Sequence, residues 1–93
     1  MPSRVYQLPD AHTDDELDYG FGFEVFGSGD DVSSYTVTVP AGVTKGSDSK
    51  SGQTVTVWLG PADAGTHRII VHAVSAAGRE ATIEADWTVS DPA

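Results

Sequence analysis

An all-β antiparallel sandwich is the fold this sequence predicts, on three observations. Apolar residues recur at period two in several short runs, and a strand sends successive side chains to opposite faces. Gly-, Pro-, Ser- and Asp-rich stretches punctuate those runs at intervals of about ten residues, the spacing of a two-sheet all-β domain. No stretch carries the competing period of an amphipathic helix. The chain has 93 residues, enough for one domain, which at this size buries about 60 to 65% of its unfolded surface.

Residues 1 to 19 read as irregular, an N-terminal arm or a loose first edge. Pro2, Pro9 and the acidic DAHTDDELD discourage a strand there. The sandwich domain is expected over 20 to 90, with a short tail at 91 to 93. In GFGFEVF, Phe21, Phe23 and Val25 share one face, and Gly22, Glu24 and Phe26 the other. GSGDD (27 to 31) is a turn, because Gly supplies backbone angles that other residues avoid. SSYTVTVP sets Tyr35, Val37 and Val39 against Ser34, Thr36 and Thr38. Pro40 ends that strand, having no N–H for a ladder. AGVTKGSDSKSG (41 to 52) is the longest expected loop, with at most a short strand around Val43.

QTVTVWLG forms the next strand, with Val55, Val57 and Leu59 inward and Trp58 outward. Gly60 and Pro61 end it. THRIIVHAVS is apolar on both sides: Ile69, Val71 and Ala73 against Ile70, His72 and Val74. Such a run predicts a central strand with both faces at least partly covered. AAGRE is a tight turn. EATIEADWTV closes the domain, with Ala81, Ile83, Ala85, Trp87 and Val89 inward and Thr82, Glu84, Asp86 and Thr88 outward.

Composition limits the function classes. The net charge is −9, from 14 acidic and 5 basic residues, and the basic residues are scattered. A phosphate backbone or an anionic membrane would be repelled, so neither nucleic acid nor membrane is an expected partner. Excess negative charge favours solubility or a partner with positive patches. Cysteine is absent, which excludes disulfides and thiolate metal sites. No apolar run approaches the length of a membrane span, and the start lacks the apolar stretch of a signal peptide. The chain is therefore expected to be a complete cytoplasmic product.

Nothing here carries chemistry, and no catalytic residue, metal or cofactor is expected. His67 and His72 lie five apart in one strand, so they face opposite ways and cannot share a metal. No serine sits in a nucleophile elbow. Asp10, Asp14, Asp15, Glu16 and Asp18 offer carboxylates that calcium favours, but without the spacing or glycine of an EF-hand loop; a solvated acidic surface explains them more simply. GSGDD is no phosphate loop, since neither Lys-Ser/Thr nor a helix follows. The features that remain suit an interaction surface. Exposed apolar and aromatic groups gathered on one face mark a contact site. The candidates are Trp58 with Ile70, His72 and Val74, aided by Asp14, Asp15 and Glu16 in the arm. They form one patch only if strands 54–59 and 66–75 are sheet neighbours. Trp58 alternatively lies under the 41–52 loop.

Two resemblances bear on this reading. LGPADAGTHRIIVHAVSAAGRE resembles the E–F–G region of fibronectin type III and related immunoglobulin-like domains. Leu59 and Pro61, the strand residues Ile69, Val71, Ala73 and Ser75, and the Ala77-Gly78 turn carry the likeness, while His67 stands where that family has a tyrosine. It implies an immunoglobulin-like (fibronectin type III-like) antiparallel sandwich. Residues 15 to 89 resemble small β-sandwich virion proteins of tailed bacteriophages, among them fiber–tail adaptor proteins. The order of the pieces is the signal: Asp15 to Tyr19, Gly29 to Ser34, Thr54 to Gly60, Gly65 to Val71, Gly78-Arg79 and Thr82 to Val89. This resemblance implies a non-enzymatic structural protein of the virion, made in the host cytoplasm. It would act as a capsid decoration protein or as an adaptor at the head, tail or fiber. Other virion proteins would be its partners, with homo-oligomers within the particle open. The alternative is an immunoglobulin-like adhesion or carbohydrate-binding module of a bacterial surface protein.

Overall fold

The computed structural model describes residues 4–91. They form β1 (Arg4–Gln7), β2 (Ala11–His12), β3 (Leu17–Gly22), a 3-10 turn (Glu24–Phe26), β4 (Val32–Thr38), β5 (Val43–Ser51), β6 (Thr54–Ala62), β7 (Gly65–Ser75) and β8 (Glu80–Ser90). One sheet has the order β1-β8-β7-β4, with β2 also on β8, and the other the order β3-β6-β5. The two sheets face each other as a sandwich. Phe21, Val55, Val57 and Leu59 line one inner face, and Ile69, Val71, Ile83, Trp87 and Val89 the other, all at most 3% exposed. The alternation in β6 and β8 therefore holds as expected, and β7 lies centrally between β8 and β4.

Three local expectations are sharpened or corrected. The segment expected to be an irregular arm or a loose first edge is an edge: it contains β1 and β2, which pair parallel to β8 with Tyr6 opposite Ala85 and Ala11 opposite Val89. Pro9 lies between them and has no N–H to give a ladder, so one edge strand becomes two short ones. The acidic part of the same segment runs into β3. The expected loop at 41–52 is mostly β5, 9 residues long. It borders only β6, and its register shifts twice, between Val43 and Lys45 and between Lys45 and Asp48. Bulges, lysines and polar residues are what protects a sheet edge from further pairing. Finally, β3 stops at Gly22. The following 3-10 turn leaves Val25 51% exposed and drives Phe26 inward, at 2%, where its ring stacks on Phe23 at 5.6 Å.

Side chains tie the layers together at both sides and at one end. On one side, the Trp87 indole N–H donates to the Tyr19 hydroxyl at 2.9 Å, and the rings meet edge to face. On the other side, the Tyr35 hydroxyl donates to Asp48 Oδ1 at 2.6 Å, and Lys45 pairs with the same carboxylate. At one end the β7–β8 hairpin docks on the 27–31 turn. Asp30 Oδ1 accepts from the Ala77 N–H at 3.0 Å, and Asp30 Oδ2 lies 3.2 Å from the Arg79 guanidinium, which also donates to the Phe26 carbonyl. At the opposite end Gly60 passes under the β2–β3 connection. Its φ is +107°, and a Cβ there would lie 2.0 Å from the Asp15 carbonyl oxygen.

Candidate functional site: two outer faces

The functional candidates named by sequence lie on the outward surfaces of the two sheets. On the β3-β6-β5 sheet, Trp58 is 38% exposed. Its neighbours are fixed by register. Asp18 of β3 lies directly across on one side. On the other side Gly46 and Ser47 fall within the register shift between Lys45 opposite Leu59 and Asp48 opposite Val57. A Cβ on Gly46 would sit 3.0 Å from Trp58 Cβ, so glycine lets the bulged backbone close against the base of the indole. The stretch 41–52 thus flanks Trp58 as a neighbouring strand and leaves the ring accessible, rather than covering it. Around it the floor is low: Gly20, Thr54 and Thr56 in the centre, Ser49 and Ser51 at the edge. Asp18 is exposed, and its carboxylate has no hydrogen bond or ion pair among the described residues.

Ile70, His72 and Val74 are half-buried on the outside of the other sheet. The four apolar and aromatic candidates therefore do not form one patch. β6 and β7 belong to different sheets, which sets Trp58 and the Ile70–Val74 row on opposite sides of the molecule. The row is also knitted into its own surroundings. His72 Nδ1 contacts the Thr82 hydroxyl at 2.8 Å and Nε2 contacts Glu80 at 3.0 Å. Four residues earlier in β7, Arg68 donates to Asp86 at 2.5 Å and to Glu84 at 3.1 Å. These two carboxylates, Asp86 first, hold the Arg68 guanidinium pKa above its usual value. Ile70 lies opposite Glu84, and Val74 opposite Glu80.

The acidic candidates divide as well. Asp15 is used locally: its Oδ2 accepts from the His12 N–H at 2.9 Å, and its own N–H donates to the His12 carbonyl at 2.9 Å, closing the turn into β3. Asp14 and Glu16 are exposed. Among the described residues no group of three or more His, Cys, Asp or Glu side chains is placed to hold a metal. Sequence names Asp18 only as one of the acidic cluster, and neither Asp18 nor Gly46 as a neighbour of Trp58. Their only signal is the pairing of β3 and β5 with β6, and a sequence pattern does not give register between distant strands.

The pieces of the phage-like pattern meet in space. The Asp15 backbone packs on Gly60, Tyr19 bonds Trp87, and Asp30 bonds Arg79. Each contact joins an early piece of the pattern to a late one, so these residues serve as internal ties of the sandwich. Among the described residues of the pattern, Trp58 is a large side chain with no such tie. The comparisons with known proteins agree with the pattern. No curated protein matches the chain. The family model described as podophage GP4 fiber-tail adaptor protein gp77 matches residues 12–89, a span that runs from β2 to the end of β8. The chain belongs to this family of phage adaptor proteins.

Proposed function

We propose that the protein is a non-enzymatic structural adaptor of the phage particle, made in the host cytoplasm, that joins fiber to tail. In this reading it holds one virion protein on each outer face of an immunoglobulin-like sandwich. Family membership supports the adaptor role. The strand order supports the immunoglobulin-like description. β4, β7 and β8 stand as strands C, F and G, and β3, β6 and β5 as B, E and D, the partition such sandwiches use; the first strand is divided along the outside of β8. The observation that carries the proposal is the opposite placement of Trp58 and the Ile70–Val74 row. An adaptor needs two contact surfaces that do not obstruct one another, and the two outer faces of a sandwich supply them.

The test is to assemble particles without this chain. The proposal expects complete heads and tails that lack fibers, with fibers regained when the purified chain is added back. Particles that keep their fibers, or a chain that fractionates with isolated capsid shells as a decoration protein does, contradict it.

A further inference from the structure

The Trp58 face has a specific chemistry, and it points to a specific partner group. We propose that Trp58 and Asp18 together receive an arginine side chain carried on a flat surface of a tail or fiber protein. This rests on the adaptor reading and names the contact that one face makes. The geometry supplies both halves of such a site. An accessible indole offers a π face to a guanidinium, which stacks on aromatic rings within about 6 Å. The carboxylate of Asp18 stands on the directly paired residue of the neighbouring strand, placed to accept the forked N–H groups of the same guanidinium. Neither half is used internally. The Trp58 indole takes part in no hydrogen bond or ring contact among the described residues, and the Asp18 carboxylate is likewise unengaged.

The surroundings favour a protein surface over a single small molecule. Gly20, Thr56 and Ser49 make a floor without large side chains, which lets a second flat surface approach. Charge decides which surface. The chain carries −9, so a complementary partner is basic. A second copy of this chain fits poorly, because it carries the same −9 and like-charged surfaces repel. Among the arginine side chains described, Arg68 and Arg79 are already paired with carboxylates of their own domain. Lysine on the partner would meet the same charge, but only arginine combines a stacking plane with a fork.

Purified tails and purified fibers lacking this chain are the probes, and binding of the full chain to each is measured with Trp58→Ala, Trp58→Phe and Asp18→Asn variants. The expected result is that wild type binds both. Trp58→Ala weakens binding to one of them about tenfold, and Trp58→Phe weakens it less, as the loss of part of a stacking platform implies. Asp18→Asn weakens the same binding about threefold and reduces its salt dependence. Treating that probe with an arginine-specific dicarbonyl reagent before mixing reproduces the Trp58→Ala loss. A blue-shifted emission from buried Trp87 in the Trp58 variants confirms that they are folded. Wild-type binding that is unchanged in Trp58→Ala and Asp18→Asn, or indifferent to the arginine reagent, overturns this contact and leaves the adaptor reading standing. Wild type that binds neither probe removes both.

Discussion

The two outer faces of this sandwich are finished in opposite ways. On the β1-β8-β7-β4 sheet the outward polar groups answer one another: Arg68 with Asp86 and Glu84, and His72 with Thr82 and Glu80. On the β3-β6-β5 sheet the residues around Trp58 are glycine, serine and threonine, and Trp58 and Asp18 project from them with no hydrogen-bond, ion-pair or ring partner among the described residues. Exposure alone does not separate the faces, since scattered apolar surface is normal. The difference lies in satisfaction. A face whose charges are paired within the domain has little left to offer a partner electrostatically, and a face with an unengaged aromatic beside an unengaged carboxylate keeps both for one.

The two tryptophans give the largest test of this difference. Trp87 is fully buried and bonded to Tyr19, so Trp87→Ala should cost about 3 to 5 kcal/mol in denaturant unfolding. Gly60→Ala comes next. It demands a side chain where φ is +107° and where the Asp15 carbonyl stands in the way. Strain of this kind costs on the order of 1 to 3 kcal/mol, read as a lower unfolding midpoint. Trp58→Ala should cost less than about 1.5 kcal/mol, as a surface change does, while weakening incorporation into particles. A loss matching that of Trp87→Ala would place Trp58 in the core and erase the contrast between the faces.

Smaller effects sharpen the comparison. Arg68→Ala breaks exposed pairs on the satisfied face. It should lower stability less than Gly60→Ala does and leave binding through Trp58 unchanged. The pH dependence follows from the ties between the layers. Asp30 is held below its ordinary pKa by the Ser75 hydroxyl first, then by the Ala77 amide and Arg79, and Asp48 by Lys45 and then Tyr35. Their contribution is full above the unfolded carboxylate value and is lost as pH falls through the lower folded values. Tyr35 is raised by its bond to Asp48, and Tyr19 chiefly by burial. Their contribution is full below the unfolded tyrosine value near 10 and is lost as pH rises beyond it. Thermal unfolding against pH should therefore show a broad plateau that falls in acid and again in strong base. A flat profile at both extremes would mean that these ties do not hold the sheets together.

What the sequence made legible follows the same physics. β6 and β8 each bury one face, so alternation named Val55, Val57, Leu59, Ile83, Ala85 and Trp87 as inward. β5 eluded the pattern because an edge strand with bulges buries little, and Lys45, Gly46, Ser47 and Asp48 read as loop. β1 and β2 eluded it because Pro9 divides them and their pairing with β8 spans nearly the whole chain. The single patch combining Trp58 with Ile70 and Val74 failed on topology. Two consecutive strands joined by a short connection can be sheet neighbours or can cross between sheets, and the connection 63–64 does the latter. Asp18 became visible as a site residue only when β3 was found beside β6.

A density map of the assembled tail, with this chain located in it, tests the central claim most directly. The account predicts that the Trp58 face is covered by one virion protein, with an arginine of that protein over the indole and within reach of Asp18. A map in which Trp58 and Asp18 face solvent in the complete particle would contradict it.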